Sequence, residues 1–315
     1  MAWKDKFLKF LFSGNQQEVQ IALDLKDKNL PTRLYRYRPF KAENLSKEIS
    51  ENTVRLSSPS SFNDPFDCAW ILDDEKIYFE LFFEAPGIKK LFSQEEIESA
   101  KKDGDPFLYL ARLSSWKEGR AGMNAYHEAN QLKERLKEFV SSRKMNRFKE
   151  REKNFSVCCF SEVKDSILMW SFYADHHKGY CIEYDISNEP INSENAKYLY
   201  PVIYSDKLFD LTEHFKKPVV TPLAIKSAIS KSSQWSKEKE WRLIWIHKTQ
   251  IEEEKRFWKF CPIKSIYLGA KMEYSDRKKI EEICGKNVSV YQTKLSKSSF
   301  KLEFELVSNS NESKA

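Results

Sequence analysis

A run of alternating tryptophans and ions, EKEWRLIWIH at 238–247, limits the kinds of fold open to this chain. Odd positions read Lys239, Trp241, Leu243 and Trp245, and even positions read Glu238, Glu240, Arg242 and Ile244. A period of two is the signature of a β-strand, whose successive side chains point to opposite faces. Two tryptophans on one face demand burial against a second layer. Two carboxylates and a guanidinium on the other are costly in a core unless they pair or bind something.

The rest of the chain supplies partners for that strand. TRLYRYRPF (32–40) alternates bulky and basic residues, so Arg36 and Arg38 share one face of a first strand. Further strands are expected at 53–58, 155–161, 179–186, 200–205, 263–269, 288–293 and 300–307, from their β-branched and aromatic content. If strands 32–40 and 238–247 are neighbours, arginines face glutamates. Helices are expected at 42–50, over 222–234 and from about Ser275. The middle, 74–154, reads as helical. The fold class is therefore α+β: an aromatic-rich mixed sheet with a helical insertion between its early and late strands. The expected organisation is an N-terminal helical segment (1–30), one α+β domain (31–307) and a frayed tail (308–315). Aromatic residues make up 14% of the chain, enough to fill such a core.

The segment SSPSSFNDPFDCAW (57–70) concentrates turn chemistry. Pro59 and Pro65 restrict φ, and Asn63 and Asp64 can form Asx turns. Phe62 and Phe66 are candidate anchors. A loop pinned in advance suits binding, because its ordering entropy is already spent. The competing reading is a turn that caps the next element. Asn63, Asp64 and Asp67 offer three oxygen-bearing side chains within five positions, a pattern compatible with Mg²⁺, although no second acidic cluster accompanies it.

Several classes are disfavoured. Only eight glycines occur, and neither GxGxxG nor GxxxxGK[ST] is present, so no Gly-rich phosphate loop is expected. The six cysteines lack CxxC spacing and the five histidines lack HExxH, which favours free thiols in a reducing cytoplasm and no structural zinc. No apolar run approaches the length of a membrane span, and the start carries no signal-peptide pattern. Trp3, Phe7, Phe10 and Leu11 share one helical face, which is expected to dock on the body of the protein rather than on a membrane surface.

The net charge of +6 is concentrated: Lys133–Lys153 holds nine basic residues and four glutamates. This is either a solvated helix face or a surface for a nucleic-acid or protein target, with Arg143, Lys144 and Arg147 as its test residues.

Five blocks then carry a resemblance. LYRYRPF, LSSPSSFNDPFDC, CFSE, MWSFYADHHKGYCIEYD and KEKEWRLI resemble, in this order, blocks of a widespread family of uncharacterised prokaryotic proteins catalogued as a domain of unknown function. They run from Leu34 to Ile244. That family implies no chemistry.

The order of functional residues is also similar to that of arginine-type ADP-ribosyltransferases: Arg36 or Arg38 on a first strand, Ser161 (or Ser57) in the middle, and Glu238-Lys239-Glu240 on a late strand. The Ser-Thr-Ser run of that family is replaced here by CCFSE. The resemblance implies NAD as substrate. Arginine would hold the diphosphate, serine would orient the nicotinamide ribose, and Glu238 and Glu240 would stabilise an oxocarbenium-like state. Tyr173 or Trp170 would stack on nicotinamide, and Arg242 would join the ligand-binding set. Such proteins serve as toxins, effectors or defence proteins. Within YADHHKGYCIEYD, His177 is a candidate acid or base oriented by Asp175, or else part of a turn closed before Gly179. Asn63, Asp64, Asp67 and Asp175 are expected to brace the site. The alternatives to an enzyme are a non-catalytic nucleotide or anion sensor, and a nucleic-acid binder working through 133–153. The oligomeric state is left open.

Overall fold

The computed structural model describes residues 3–71, 73–119, 126–138, 141–142, 155–190, 193–212, 222–247, 252–286 and 288–308. Arg143, Lys144 and Arg147, together with most of the basic segment, lie outside them. The chain forms two compact units. The larger comprises 1–69, 152–209 and 219–315; the smaller comprises 70–151 and 210–218.

In chain order the larger unit contains helices α1 (Trp3–Leu11) and α2 (Gln16–Asp27), strand β1 (Arg33–Arg38), helix α3 (Ala42–Glu51) and strand β2 (Thr53–Arg55). After the excursion come β3 (Phe155–Ser161), α4 (Ile167–Tyr173), β4 (Tyr180–Asp185), α5 (Glu194–Tyr198), β5 (Leu199–Pro201) and β6 (Ile203–Ser205). Helix α6 (Leu223–Ala228), β7 (Ser230–Ser232), a 3₁₀ turn (Ser233–Glu238), β8 (Glu240–Ile246) and β9 (Phe257–Lys259) follow. The unit closes with β10 (Ile263–Leu268), α7 (Tyr274–Cys284), β11 (Ser289–Leu295) and β12 (Leu302–Ser308).

Eight of these strands form one sheet, in the order β12-β11-β10-β4-β1-β3-β8-β5. Only the β10–β11 pair, joined through α7, is parallel; the other neighbours run antiparallel. This is the mixed α+β architecture expected from the sequence. Strands β1 and β8 are not neighbours, because β3 lies between them.

The sheet is uneven at its centre. Strand β1 pairs with β4 over six residues, and β8 pairs with β3 over seven. Between β1 and β3 the register holds a single pair, Tyr35 opposite Ser161. The two central strands then part, leaving Arg36–Arg38 on one lip and Cys158–Phe160 on the other. Ser57 pairs with Val157 across an isolated bridge, so the proline-rich loop enters the gap from the β3 side.

The core fills both faces of this sheet. Leu34, Phe160, Tyr184, Trp241, Leu243 and Ile266 pack with Phe260 in one cluster. Phe7 and Leu11 of α1 are buried against Phe155, Val157 and Ile244, while Trp3 stacks on Trp241 at 6.3 Å. The amphipathic N-terminal face thus docks on its own unit. Gly179 opens β4 where no side chain fits, since a Cβ there would stand 2.1 Å from the carbonyl oxygen of Arg38.

Four segments differ from the sequence reading. The strand expected at 53–58 ends at Arg55, and the one expected at 200–205 is two short strands, β5 in the main sheet and β6 paired with β7. The 222–234 helix stops at Ala228, where β7 begins. Strand β8 begins at Glu240 rather than Glu238, because Lys239 turns left-handed at φ 45°.

The smaller unit is helical over 74–84, 86–91, 94–101, 106–117 and 126–138. Ser93 and Glu96 form a reciprocal capping box at one helix start. Phe82, Phe83, Phe92, Ile97, Phe107 and Leu110 make its core, with Leu132 and Leu136 packed against it. No described helix in either unit is long and apolar enough to cross a membrane.

Candidate functional site

Where β1 and β3 part, a cavity of about 560 Å³ opens. It is lined by Tyr35–Pro39 from β1 and by Val157–Ser161 from β3. Ser57, Phe62, Asn63 and Asp67 come from the proline-rich loop, and Met169, Phe172 and Tyr173 from α4. Lys231, Glu238 and Glu240 complete the wall. Arg36, Arg38, Ser161, Tyr173 and the Glu-x-Glu pair, spread over more than two hundred residues of sequence, therefore meet in one hollow.

One lip is cationic. Arg36 and Arg38 both reach Oε1 of Glu48 on α3, at 3.1 and 2.6 Å, and Arg36 also donates to the Arg55 carbonyl at 3.0 Å. Two guanidinium groups thus share one carboxylate, and Glu48 Oε2 is buried without a hydrogen-bond partner among the described residues. Burial disfavours the charge on Arg36, but Cys158 and Glu48 outweigh that and raise its pKa. The arginines meet this helical glutamate rather than Glu238 and Glu240.

The opposite wall is anionic. Arg242, fully buried, grips Glu240 through Nε at 2.8 Å and Nη2 at 3.0 Å, and grips Asp67 through Nη1 at 2.7 Å and Nη2 at 2.8 Å. Its Nη1 also donates to the Ala228 carbonyl at 2.7 Å. Phe62 lies under this guanidinium, with the ring centroid 5.5 Å away. Lys231 stands 2.6 Å from Glu238 Oε2, 3.0 Å from Glu240 Oε2 and 3.6 Å from Asp67 Oδ2. Three carboxylates face two cations, so this wall keeps an excess of negative charge.

The two glutamates differ in kind. Burial opposes ionisation of Glu240, yet Arg242 and Lys231 overcome it and hold the carboxyl at about 2. Burial raises the pKa of Glu238 instead, against the pull of Lys231. Glu238 receives one bond on each oxygen, from Lys231 and from the Tyr173 hydroxyl at 2.8 Å. Each oxygen of an ionised carboxylate has room for a second donor. Lys239 between them is left-handed, and both glutamates meet the Lys231 ammonium.

Ser161 is completely buried; its Oγ donates to the Glu238 carbonyl at 2.6 Å and accepts from Val163 N at 3.1 Å. It fixes the turn that carries Glu238. Asn63 and Tyr173 both line the cavity, and the pKa of Tyr173 rises through burial and the nearby Glu238. Asp64 Oδ1 accepts from Phe66 N at 2.9 Å and ties the loop to itself. Phe62 is the loop's anchor, whereas Phe66 is 63% exposed and anchors nothing.

Trp170 does not line the cavity. It is buried, donates to the Lys164 carbonyl at 2.9 Å and packs edge-on against Tyr37. His177 lines a different cavity, beside the β11–β12 hairpin. Its Nε2 lies 3.2 Å from Ser171 Oγ rather than on the exposed Asp175, and burial followed by Lys271 lowers its pKa. Asp175, His176 and His177 all have positive φ, so this segment forms a left-handed turn outside the cleft. Arg242 is a structural hub and does not line the cavity. Among the described residues no group of His, Cys, Asp and Glu is arranged to hold a metal ion. Lys231 and Glu48 escaped the sequence reading: both read as ordinary helical surface residues, and only tertiary packing buries them.

Residues 169–243 match the model of a family described as Protein of unknown function (DUF2971). The matched stretch carries Tyr173, Lys231, Glu238, Glu240 and Arg242, but not the arginine lip. No curated protein matches the chain, and neither does any solved structure.

Proposed function

We propose that this chain is an NAD-using enzyme of the ADP-ribosyltransferase type, cleaving the bond between nicotinamide and ribose. One observation supports the reading above others: a single cavity has a cationic lip on β1 and an anionic wall around Glu238, with aromatic rings between them. NAD has matching polarity, with an anionic diphosphate in its middle and, beyond one ribose, a positively charged nicotinamide ring. A volume of about 560 Å³ is in the range of small-molecule pockets.

In this reading Arg38 and Arg36 hold the diphosphate through charge-assisted hydrogen bonds. Tyr173 and Phe172 flank the nicotinamide ring. Glu238 is the carboxylate that faces substrate: it accepts from a ribose hydroxyl and stabilises positive charge growing at the anomeric carbon. Glu240, saturated by Arg242 and Lys231, holds Glu238's neighbours in place rather than touching substrate. As the C–N bond breaks, its electron pair leaves on nicotinamide. Water or an acceptor nucleophile then adds to the same carbon and loses a proton.

A second reading is favoured by the completeness of the ion network. Glu240 and Arg242 are already satisfied, as a rigid sensor that binds a nucleotide without turnover would require. Incubating the purified chain with NAD and measuring released nicotinamide decides between them. Release that disappears in Glu238→Gln supports the enzyme. A thermal shift with NAD and no product supports the sensor. Neither a shift nor a product would remove both.

A further inference from the structure

A second cavity of the larger unit, also about 560 Å³, lies between the start of α4, the turn at His177 and the tip of the β11–β12 hairpin. Its described lining contains Lys271, Lys297, Lys301 and His177, and no carboxylate. Ser296, Ser298 and Ser299 of the tip add hydroxyl groups to the same rim. None of the three lysines forms an ion pair among the described residues, whereas Arg36, Arg38, Lys231, Arg242 and Arg277 of the same unit are each paired with an acid. Unpaired like charges gathered around a concavity repel one another, and an anion relieves that repulsion.

The floor is built rather than incidental. Lys271 N donates to the His177 carbonyl at 2.9 Å, and Gly269 N donates to the Gly179 carbonyl at 2.8 Å. A Cβ on Gly269 would fall 2.0 Å from the His177 oxygen, so the two segments touch backbone to backbone. The imidazole is held by its Nε2, 3.2 Å from Ser171 Oγ, while its Nδ1 is buried and has no hydrogen-bond partner among the described residues. The tip is ordered by its own bonds, from Ser296 N to the Lys301 carbonyl at 3.0 Å and from Lys301 N to the Ser299 carbonyl at 2.8 Å. The walls are apolar: Ile167, Leu295 and Phe300, of which Phe300 is 99% exposed. A phenyl ring left fully in water beside a basic hollow gains most from a flat apolar surface laid over it.

We infer that this cavity is a binding site for a nucleoside phosphate, separate from the cleft between β1 and β3. The phosphate sits among Lys271, Lys297 and Lys301 beside the His177 ring, and the base lies on Phe300. The lysines are flexible point charges without a planar fork, which suits a terminal phosphate more than a carboxylate. This site does not depend on the reading of the first cleft.

The test uses the full chain, titrated with adenosine monophosphate and separately with inorganic phosphate, followed by calorimetry and by the imidazole NMR signals of His177. Saturable binding that moves those signals is expected. The double variant Lys297→Ala/Lys301→Ala should weaken it roughly tenfold or more. Phe300→Ala should weaken the nucleotide at least about threefold and leave inorganic phosphate unchanged. These residues lie at an exposed tip, so the thermal midpoint should not move. The inference is overturned if neither compound binds saturably. It is equally overturned if binding survives the double variant but is lost in Arg38→Ala, which would place the nucleotide in the first cleft. Sedimentation with vesicles of anionic lipid that requires Phe300, without nucleotide binding, would assign the tip to a membrane surface instead.

Discussion

Tyr35 and Ser161 form the one backbone pair that joins the two central strands of the sheet. Everything that lines the cleft is arranged around that point. Beyond it β1 and β3 separate, and Ser161 simultaneously holds the Glu238 carbonyl across to the start of β8. Replacing Ser161 with alanine strips a buried carbonyl and the Val163 amide of their partner. A cost of about 1–3 kcal/mol is expected for groups left unsatisfied in this way. Urea unfolding should show it, and any NAD turnover should fall because Glu238 loses its fixed position.

The two glutamates should separate stability from function. Glu240→Gln removes one of the two counter-charges of a fully buried guanidinium and one of those facing Lys231, a change expected to cost up to about 3–5 kcal/mol. Glu238→Gln leaves Arg242 paired with Asp67 and Glu240, so a far smaller loss of stability is expected, with the main effect on ligand binding or turnover. Equal losses of thermal midpoint in both variants would contradict this division.

Acid should act through Glu240. Its carboxyl is held at about 2 in the fold against an ordinary value of 4.5, so its stabilisation is complete above 4.5 and is lost as pH falls through about 2. The shift of Glu238 has the opposite sign: its raised value favours the fold below the ordinary carboxylate pKa and loses that contribution as pH rises. The stability gap between the native chain and Glu240→Gln should therefore narrow between pH 4.5 and 2. Urea midpoints measured across that window check the sign.

Arg38 should discriminate parts of the substrate. Its side chain keeps 18% of its surface in solvent, more than Arg36, and it stands on the cationic lip. Arg38→Ala is expected to weaken NAD binding by roughly ten- to a hundredfold, the worth of about 1.5–3 kcal/mol for hydrogen bonds to charged groups. Nicotinamide riboside, which has no diphosphate, should bind the variant as it binds the native chain. Calorimetry with both compounds measures the difference.

Gly179→Ala tests the lip mechanically. A methyl group there meets the Arg38 carbonyl at 2.1 Å, so backbone must move. Overpacking of this kind costs about 1–3 kcal/mol. The same displacement should reach Arg38 and weaken the diphosphate end of the site. A native thermal midpoint in this variant would show that β4 has slack there.

Much of the fold was legible because strand period and aromatic content are local properties. β1 and β8 fall where alternation places them, and β3, β4 and β10 where β-branched and aromatic content does, within a residue or two. The pinned loop at 57–68 was legible for the same reason, since proline and Asx chemistry act over a few residues. The partners of the ions were not legible. Glu48 reads as one more acid on a short helix, and Lys231 fell within an expected helix that ends at Ala228. Whether such a residue is solvated or buried is decided by strands distant in sequence. Glu238 was expected on the same strand as Glu240, but it lies in the 3₁₀ turn before that strand, with the left-handed Lys239 between them. Trp170 and His177 share a motif with Tyr173 but lie elsewhere: the helix turns Trp170 into the core, and the left-handed turn after it carries His177 to the far cavity.

The parting of β1 from β3 has a mechanical consequence. Ladder bonds make most of the sheet stiff, yet past Tyr35 and Ser161 nothing of that kind spans the opening. Its width is set by how side chains lean on one another, so a guest can widen or narrow the mouth without unzipping a strand. The hinge of such a movement is already marked, and it is a single residue pair wide.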